Sequence, residues 1–211
     1  MERRDSPPKE SQPQRWKYGE LTQKDIVEAG LRLTRRSGFA NLSMRKLAVE
    51  LSLSSMNIYY YVKDKHHVLD LIGDAVLGEV TIPPEDLSWD HRLAALFEDG
   101  REVLLRYPGV AQHLLRRRTL GLPNETRLYE VSTEILTTAG FSQTMTDQIP
   151  RIFTYLLFGA VTSELATIEA MDDPATRRFS DDREVFSVGL RLIIKGMQQE
   201  ELDCSDGSSQ H

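Results

Sequence analysis

Residues 43–65 read SMRKLAVELSLSSMNIYYYVKDK, and the fold turns on how this stretch is read. Ser43 is a candidate N-cap for a short helix over Met44–Leu51 that would bury Leu47, Ala48 and Leu51. Ser52-Leu53-Ser54 is a tight turn, Ser54 caps a second helix over about Ser55–Tyr61, and Asp64 caps a third that begins at Lys65. Two helices and a turn in so short a span are a helix–turn–helix, whose second helix enters the DNA major groove while the first crosses the backbone. Ala48, Leu53 and Ile58 supply its inner seam. The second helix is then left almost without charge, an unusual state for a surface helix unless it must fit a groove. Asn57 suits a bidentate pair with adenine, and Met56 or a tyrosine suits a thymine methyl. The cations Arg45, Lys46, Lys63 and Lys65 flank this helix where phosphates would lie. Of the three adjacent tyrosines, which cannot all face one way, Tyr59 is expected to be partly structural.

Outward from this stretch the grammar stays helical. Thr22 with Asp25 resembles a capping box for a helix over Thr22–Ser37, with Gly38 as its stop. Further helices are expected from Lys65, from Ser88 to Pro108-Gly109, over about Val110–Arg118, and from Pro123 to Gly140. A long one runs from Ser142 to about Met171, and a last one over about Asp182–Glu201. Pro150 should kink the long helix or begin a new segment. The expectation is an all-α chain of nine helices, without strand pattern or repeat. It divides into a flexible basic arm (1–18), a helix–turn–helix domain (19–66), a larger helical domain (67–203) and a disordered tail (204–211).

The 211 residues allow one or two domains and a sizeable core. Net charge is −6, but unevenly placed: residues 1–70 carry 13 Lys+Arg against 9 Asp+Glu, and the remainder 13 against 23. A basic front third on an acidic body suits two domains with different jobs. One cysteine, Cys204, excludes an intramolecular disulfide and multi-cysteine zinc sites. No apolar run approaches the roughly 18 residues of a membrane span, and the polar N-terminus is no secretory signal, so a cytoplasmic protein is expected. There is no phosphate-binding glycine loop, nucleophile elbow or metal-spaced His/Glu set, so no enzyme, cofactor or metal site is expected.

Residues 21–77 resemble the DNA-binding region of the tetracycline-repressor family of bacterial regulators. The resemblance is carried by Thr22, Ile26 and Ala29, by Gly38, by Ser43–Ala48, by the run Ser54–Lys65, and by Leu69 and Leu71. More weakly, Trp89–Gly109 and Phe186–Glu201 are similar to that family's fifth and closing helices. The resemblance implies a transcriptional regulator, most simply a ligand-responsive homodimeric repressor. An activator or ligand-independent regulator of the same fold is the alternative within the class, and an all-helical enzyme or partner-binding protein the alternative outside it.

What the resemblance implies for residues is specific. The DNA-binding set is Thr22, Ser43, Arg45, Lys46, Ser55, Met56, Asn57, Tyr59, Tyr60, Tyr61, Lys63 and Lys65, with Lys65 holding a phosphate aided by a helix dipole. Ser52 stands where the family usually has glycine, which leaves the turn geometry open. The effector pocket would be walled by Phe97, Gly100, Leu104, Tyr107, His113, Leu114, Leu128, Tyr129, Phe153, Leu157 and Thr162, a list equally suited to plain core. Leu96, Leu114 and Thr81 replace polar drug or metal contacts of the tetracycline repressor itself, so a small, more apolar effector is expected. A dimer reading a two-fold operator would join through Phe153, Leu157, Val161, Leu165, Phe186, Leu190, Ile193, Ile194 and Met197.

Overall fold

The computed structural model describes residues 21–117, 121–169 and 182–207. Among them are nine α-helices and no strand. They are α1 (Gln23–Ser37), α2 (Met44–Glu50), α3 (Ser55–Ile58), α4 (Lys65–Leu77), α5 (Trp89–Leu105), α6 (Val110–Arg116), α7 (Pro123–Thr138), α8 (Gln143–Glu169) and α9 (Asp182–Gly207), with a 3₁₀ turn at Phe39–Asn41. The all-α expectation holds. The arm at 1–18 and the helix stop at 172–174 lie outside the described residues.

The caps read from sequence are made. Thr22 and Asp25 form a reciprocal capping box on α1. Ser43 accepts from the Lys46 amide, Ser54 from the Asn57 amide and Asp64 from the His67 amide. Each such cap contributes about 1 kcal/mol to its helix. Three boundaries differ from expectation. α3 stops at Ile58, because Tyr60 and Tyr61 bond back three residues to Asn57 and Ile58 and so tighten the last turn. α6 stops at Arg116, and α9 runs to Gly207, into the expected tail. Nor does Pro150 end its helix. α8 continues across it, and the Pro150 carbonyl accepts from both the helix ladder and Thr154 Oγ1 at 2.7 Å.

α1, α2 and α3 close on α4 around Ile26, Leu47, Ile58 and Ile72, all with no exposed surface. Gly30 makes this possible: a Cβ there would overlap Ile72 Cδ1 and stand 2.8 Å from its Cγ1. α4 is shared between the two parts of the fold. Ile72 packs on α1 at Gly30, while other positions of the same helix meet the body, where Leu114 of α6 presses on Gly73 and the buried Asp74 carboxylate accepts from the Asn124 and Glu125 amides that open α7. The boundary expected at residue 66 therefore falls in the first turn of a continuous helix. α5, α7 and α8 form the body core, with the Phe97 and Phe153 rings stacked at 5.0 Å, and α9 lies along α8.

Candidate nucleic-acid interface

The α2–α3 turn is a Schellman motif. Leu53 N–H donates to the Ala48 carbonyl at 2.8 Å and Ser52 N–H to Val49 at 3.0 Å. That pattern needs a left-handed residue after the helix, and Ser52 takes it, with φ 55°. Here the chain tolerates the conformation that glycine would adopt without cost. The same two bonds close α7 at Gly140, where φ is 89°. Ala48 and Ile58 are buried and Leu53 packs on the core beside them, so the expected seam is present.

Outside that seam stands a cluster without charge. Met56 is 74% exposed, Tyr60 77% and Tyr59 50%. Tyr61, not Tyr59, is the structural tyrosine: it is half-buried against the core and its carbonyl accepts from Gln23 Nε2 at 3.3 Å. Asn57 and Ser55 are half-buried at the same end. Arg45, Lys46, Lys63 and Lys65 are exposed around the cluster, with Lys46 Nζ donating to the Asn41 carbonyl at 2.9 Å. Arg45 and Lys46 also border an open groove of about 510 Å³ floored by Leu33 and Val49.

Local bonding engages several groups around the cluster. Thr22 Oγ1 is engaged by Asp25 on both sides, donating to its carboxylate and accepting from its amide. The start of α4 is already capped: the His67 amide holds the Asp64 carboxylate below its usual range. The Lys63 and Lys65 side chains stand exposed on either side of this capped turn. Glu50, between α1 and α2, is pushed up by burial, but hydrogen bonds from Arg32 and Arg36 outweigh this and hold it below its ordinary 4.5.

The expected pocket wall divides in two. Phe97, Gly100, Leu104, Phe153 and Leu157 are buried in the body, with Leu128 and Thr162 half-buried. Thr162 Oγ1 and Gln112 Oε1 are buried without a hydrogen-bond partner among the described residues. Three others belong to the joint between the two parts of the fold. His113 bonds Asp70 of α4 at 2.8 Å and packs on Phe39, and Leu114 packs on Gly73. Tyr107 donates its hydroxyl to Glu79, beneath the Arg35 guanidinium. Burial, then the Glu79 hydrogen bond, pushes that phenol up to about 12. Tyr129 is 43% exposed, apart from these buried residues. Sequence gave no signal for this joint, because Asp70 and His113, or Glu79 and Tyr107, meet only through tertiary packing.

The expected dimer residues need the same correction. Phe153, Leu157, Val161, Leu165, Phe186, Leu190, Ile194 and Met197 are buried within the single chain, and Ile193 is half-buried, so they form the subunit's own core. The opposite faces of the same helices are exposed and apolar: Ile152, Tyr155 and Gly159 on α8, with Val185, Leu192 and Gly196 on α9.

Comparison with known proteins agrees with this geometry. The family described as "Tetracyclin repressor-like, C-terminal domain" matches residues 82–178. A helix–turn–helix transcriptional regulator of Saccharopolyspora erythraea is 36% identical over 158 residues, covering 74% of this chain, which spans 66% of that regulator's length. The class D tetracycline repressor protein of Escherichia coli is 28% identical over 202 residues, covering 84% of this chain and 89% of its own. Among solved structures, the TetR family protein ActR of Streptomyces coelicolor in complex with (S)-DNPA superposes with a TM-score of 0.72 at 25% identity. That match covers 85% of this chain and 98% of ActR.

Proposed function

Because the chain belongs to the tetracycline-repressor family of helix–turn–helix transcriptional regulators, we propose that it is a homodimeric repressor that leaves a two-fold operator when a small, largely apolar effector enters its helical body. One observation carries the DNA side of this reading: an exposed, uncharged Met56–Tyr59–Tyr60 surface ringed by Arg45, Lys46, Lys63 and Lys65. Cations fix register on phosphates, and the uncharged surface meets base edges. A protein working on chromosomal operators does so in the cytoplasm.

Two subunits are needed because one such unit reads only a half-site. The face that joins them is the exposed stripe of α8 and α9, where Ile152, Tyr155, Val185 and Leu192 would otherwise stay in water. Gly159 and Gly196 lie on that stripe, and beyond their own helix no described residue comes within 4 Å of a Cβ there, which permits close approach of a partner helix. For the effector, the stacked Phe97 and Phe153 and the unpartnered Thr162 hydroxyl suit an aromatic compound with few hydrogen-bonding groups. ActR was solved with a small molecule bound.

The test is selection of binding sites from a randomised duplex pool, followed by salt titration. A two-fold sequence should be enriched. Lys65→Ala should weaken binding to every duplex and lower the salt slope by about one contact. A pool that yields no preferred sequence refutes the repressor reading.

A further inference from the structure

α5 and α8 meet through three contacts that follow one another along both helices. The Phe97 and Phe153 rings stack at 5.0 Å, Gly100 lies against Leu157, and Arg101 Nη2 donates to Glu164 Oε2. Phe97 and Arg101 are four residues apart, and Phe153 and Glu164 eleven, so each pair shares one helix face. The middle of this contact is thinly filled. Beyond the neighbouring backbone, a Cβ on the buried Gly100 would meet, among the described residues, only Leu157 Cδ2, at 3.5 Å. Its far end lacks an acceptor: Arg101 is 5% exposed, and its buried Nε has no hydrogen-bond partner among the described residues. A guanidinium offers donors only, whichever way it is turned. Arg92 and Arg127 also bury an unpartnered Nε, but Arg92 pairs with Glu134, which is 53% exposed, and Arg127 bonds the Val80 carbonyl. Of the three, Arg101 alone is matched by a carboxylate that is itself largely buried.

We infer that the effector is an uncharged aromatic carbonyl compound, of the ketone, quinone or ester class, whose ring packs against Phe97 and Phe153 beside Gly100 and whose oxygen accepts from Arg101 Nε. This rests on the ligand-responsive reading and narrows it. The absent partner of Arg101 is an acceptor, so a group that can only donate does not supply it. Charge decides which acceptor. Glu164 already balances Arg101. A bound carboxylate would therefore leave one buried negative charge uncompensated, and an ammonium would stand beside the guanidinium without a partner. A neutral carbonyl oxygen completes the hydrogen bonding and leaves the balance as it is. The spacing agrees, since four residues of helix rise about 6 Å, the span of a ring and its carbonyl group.

The test measures, by calorimetry on the full chain without DNA, the binding of naphthalenes that differ only in their substituent: acetyl, ethyl, carboxylate and aminomethyl, the last a cation at neutral pH. The acetyl compound should bind about tenfold or more tighter than the ethyl one, as expected of a hydrogen bond to a charged group. The carboxylate and the ammonium should both bind more weakly than the acetyl compound. Arg101→Met should erase the difference between acetyl and ethyl. Glu164→Gln keeps an oxygen for Arg101 but leaves its charge unbalanced, and should turn the preference from the acetyl compound to the carboxylate. An ion pair that serves folding alone would change neither ratio. Glu164→Gln carries the test by itself where Arg101→Met does not fold. The inference is overturned if the wild type prefers the carboxylate or the ammonium, binds acetyl and ethyl alike, or binds none of the compounds, or if Glu164→Gln leaves their order unchanged. A chain that selects a two-fold operator yet gives any of these results loses the effector assignment alone. One that selects no sequence loses the repressor reading instead.

Discussion

Ser52 and Gly140 occupy the same position in the same turn motif at two ends of the fold, which makes a matched exchange possible. Each closes its helix with a bond from the next residue's amide, at 2.8 Å from Leu53 and 3.1 Å from Phe141. Each sits at positive φ, 55° and 89° respectively. A left-handed backbone costs an L-residue about 1–2 kcal/mol. Glycine escapes that cost but loses about 0.5–1 kcal/mol more in chain entropy on folding. Ser52→Gly should therefore stabilise the protein by about 0.5–1 kcal/mol, and Gly140→Ser should destabilise it by a similar amount. Sterics do not enter the second change, since a Cβ at Gly140 meets nothing within 4 Å among the described residues beyond its chain neighbours. Urea denaturation is the assay: the midpoint should rise for Ser52→Gly and fall for Gly140→Ser, with the slope unchanged. In thermal melts a change of 1 kcal/mol is about 2–4 °C for a chain of this size. Operator affinity should be unaltered by Ser52→Gly, because the turn keeps its bonds. If Ser52→Gly is neutral or destabilising while Gly140→Ser behaves as expected, Ser52 is not strained and the account of the turn is wrong.

Three further outcomes follow from packing and charge. Gly30→Ala should destabilise the α1–α4 contact by about 1–3 kcal/mol through overpacking despite alanine's better helix propensity, and Ile72→Val in the same chain should recover part of the loss in the same melts. Glu50→Gln should lower stability at neutral pH. The gap to wild type should shrink as pH falls below 4.5 and disappear once the pH passes under the lowered native value, because a depressed carboxylate stabilises only while it is ionised. A gap that widens in acid would sink this assignment. Leu192→Asp, at a residue 63% exposed in the single chain, should leave the subunit folded by circular dichroism but convert dimer to monomer in light scattering. Dimer retained at micromolar concentration would move the interface elsewhere.

Much of the interface was legible one residue at a time. Caps are local chemistry, and Ser43, Ser54, Asp64 and the Thr22–Asp25 box could be read because an N-cap acts within three residues of itself. The seam of Ala48, Leu53 and Ile58 was legible for the same reason, being spacing along one turn and two short helices. Tyr59 and Tyr61 were not separable, because periodicity assumes a regular helix and α3 tightens after Ile58. The effector and dimer residues were the least legible. Phe153 and Ile152 are adjacent and both apolar, yet one has no exposed surface and the other is 44% exposed.

By itself the sequence determined helix positions, their caps, the helix–turn–helix and the charge split that marks one end for nucleic acid. All of these arise from interactions within a few residues or from composition. Only the tertiary structure decided which face of α8 and α9 is core and which is open, and that His113 meets Asp70 and Tyr107 meets Glu79. An amphipathic pattern shows that a helix has an apolar side. A helix that is apolar all round can be oriented only by the neighbours that pack against it, and those come from distant parts of the chain.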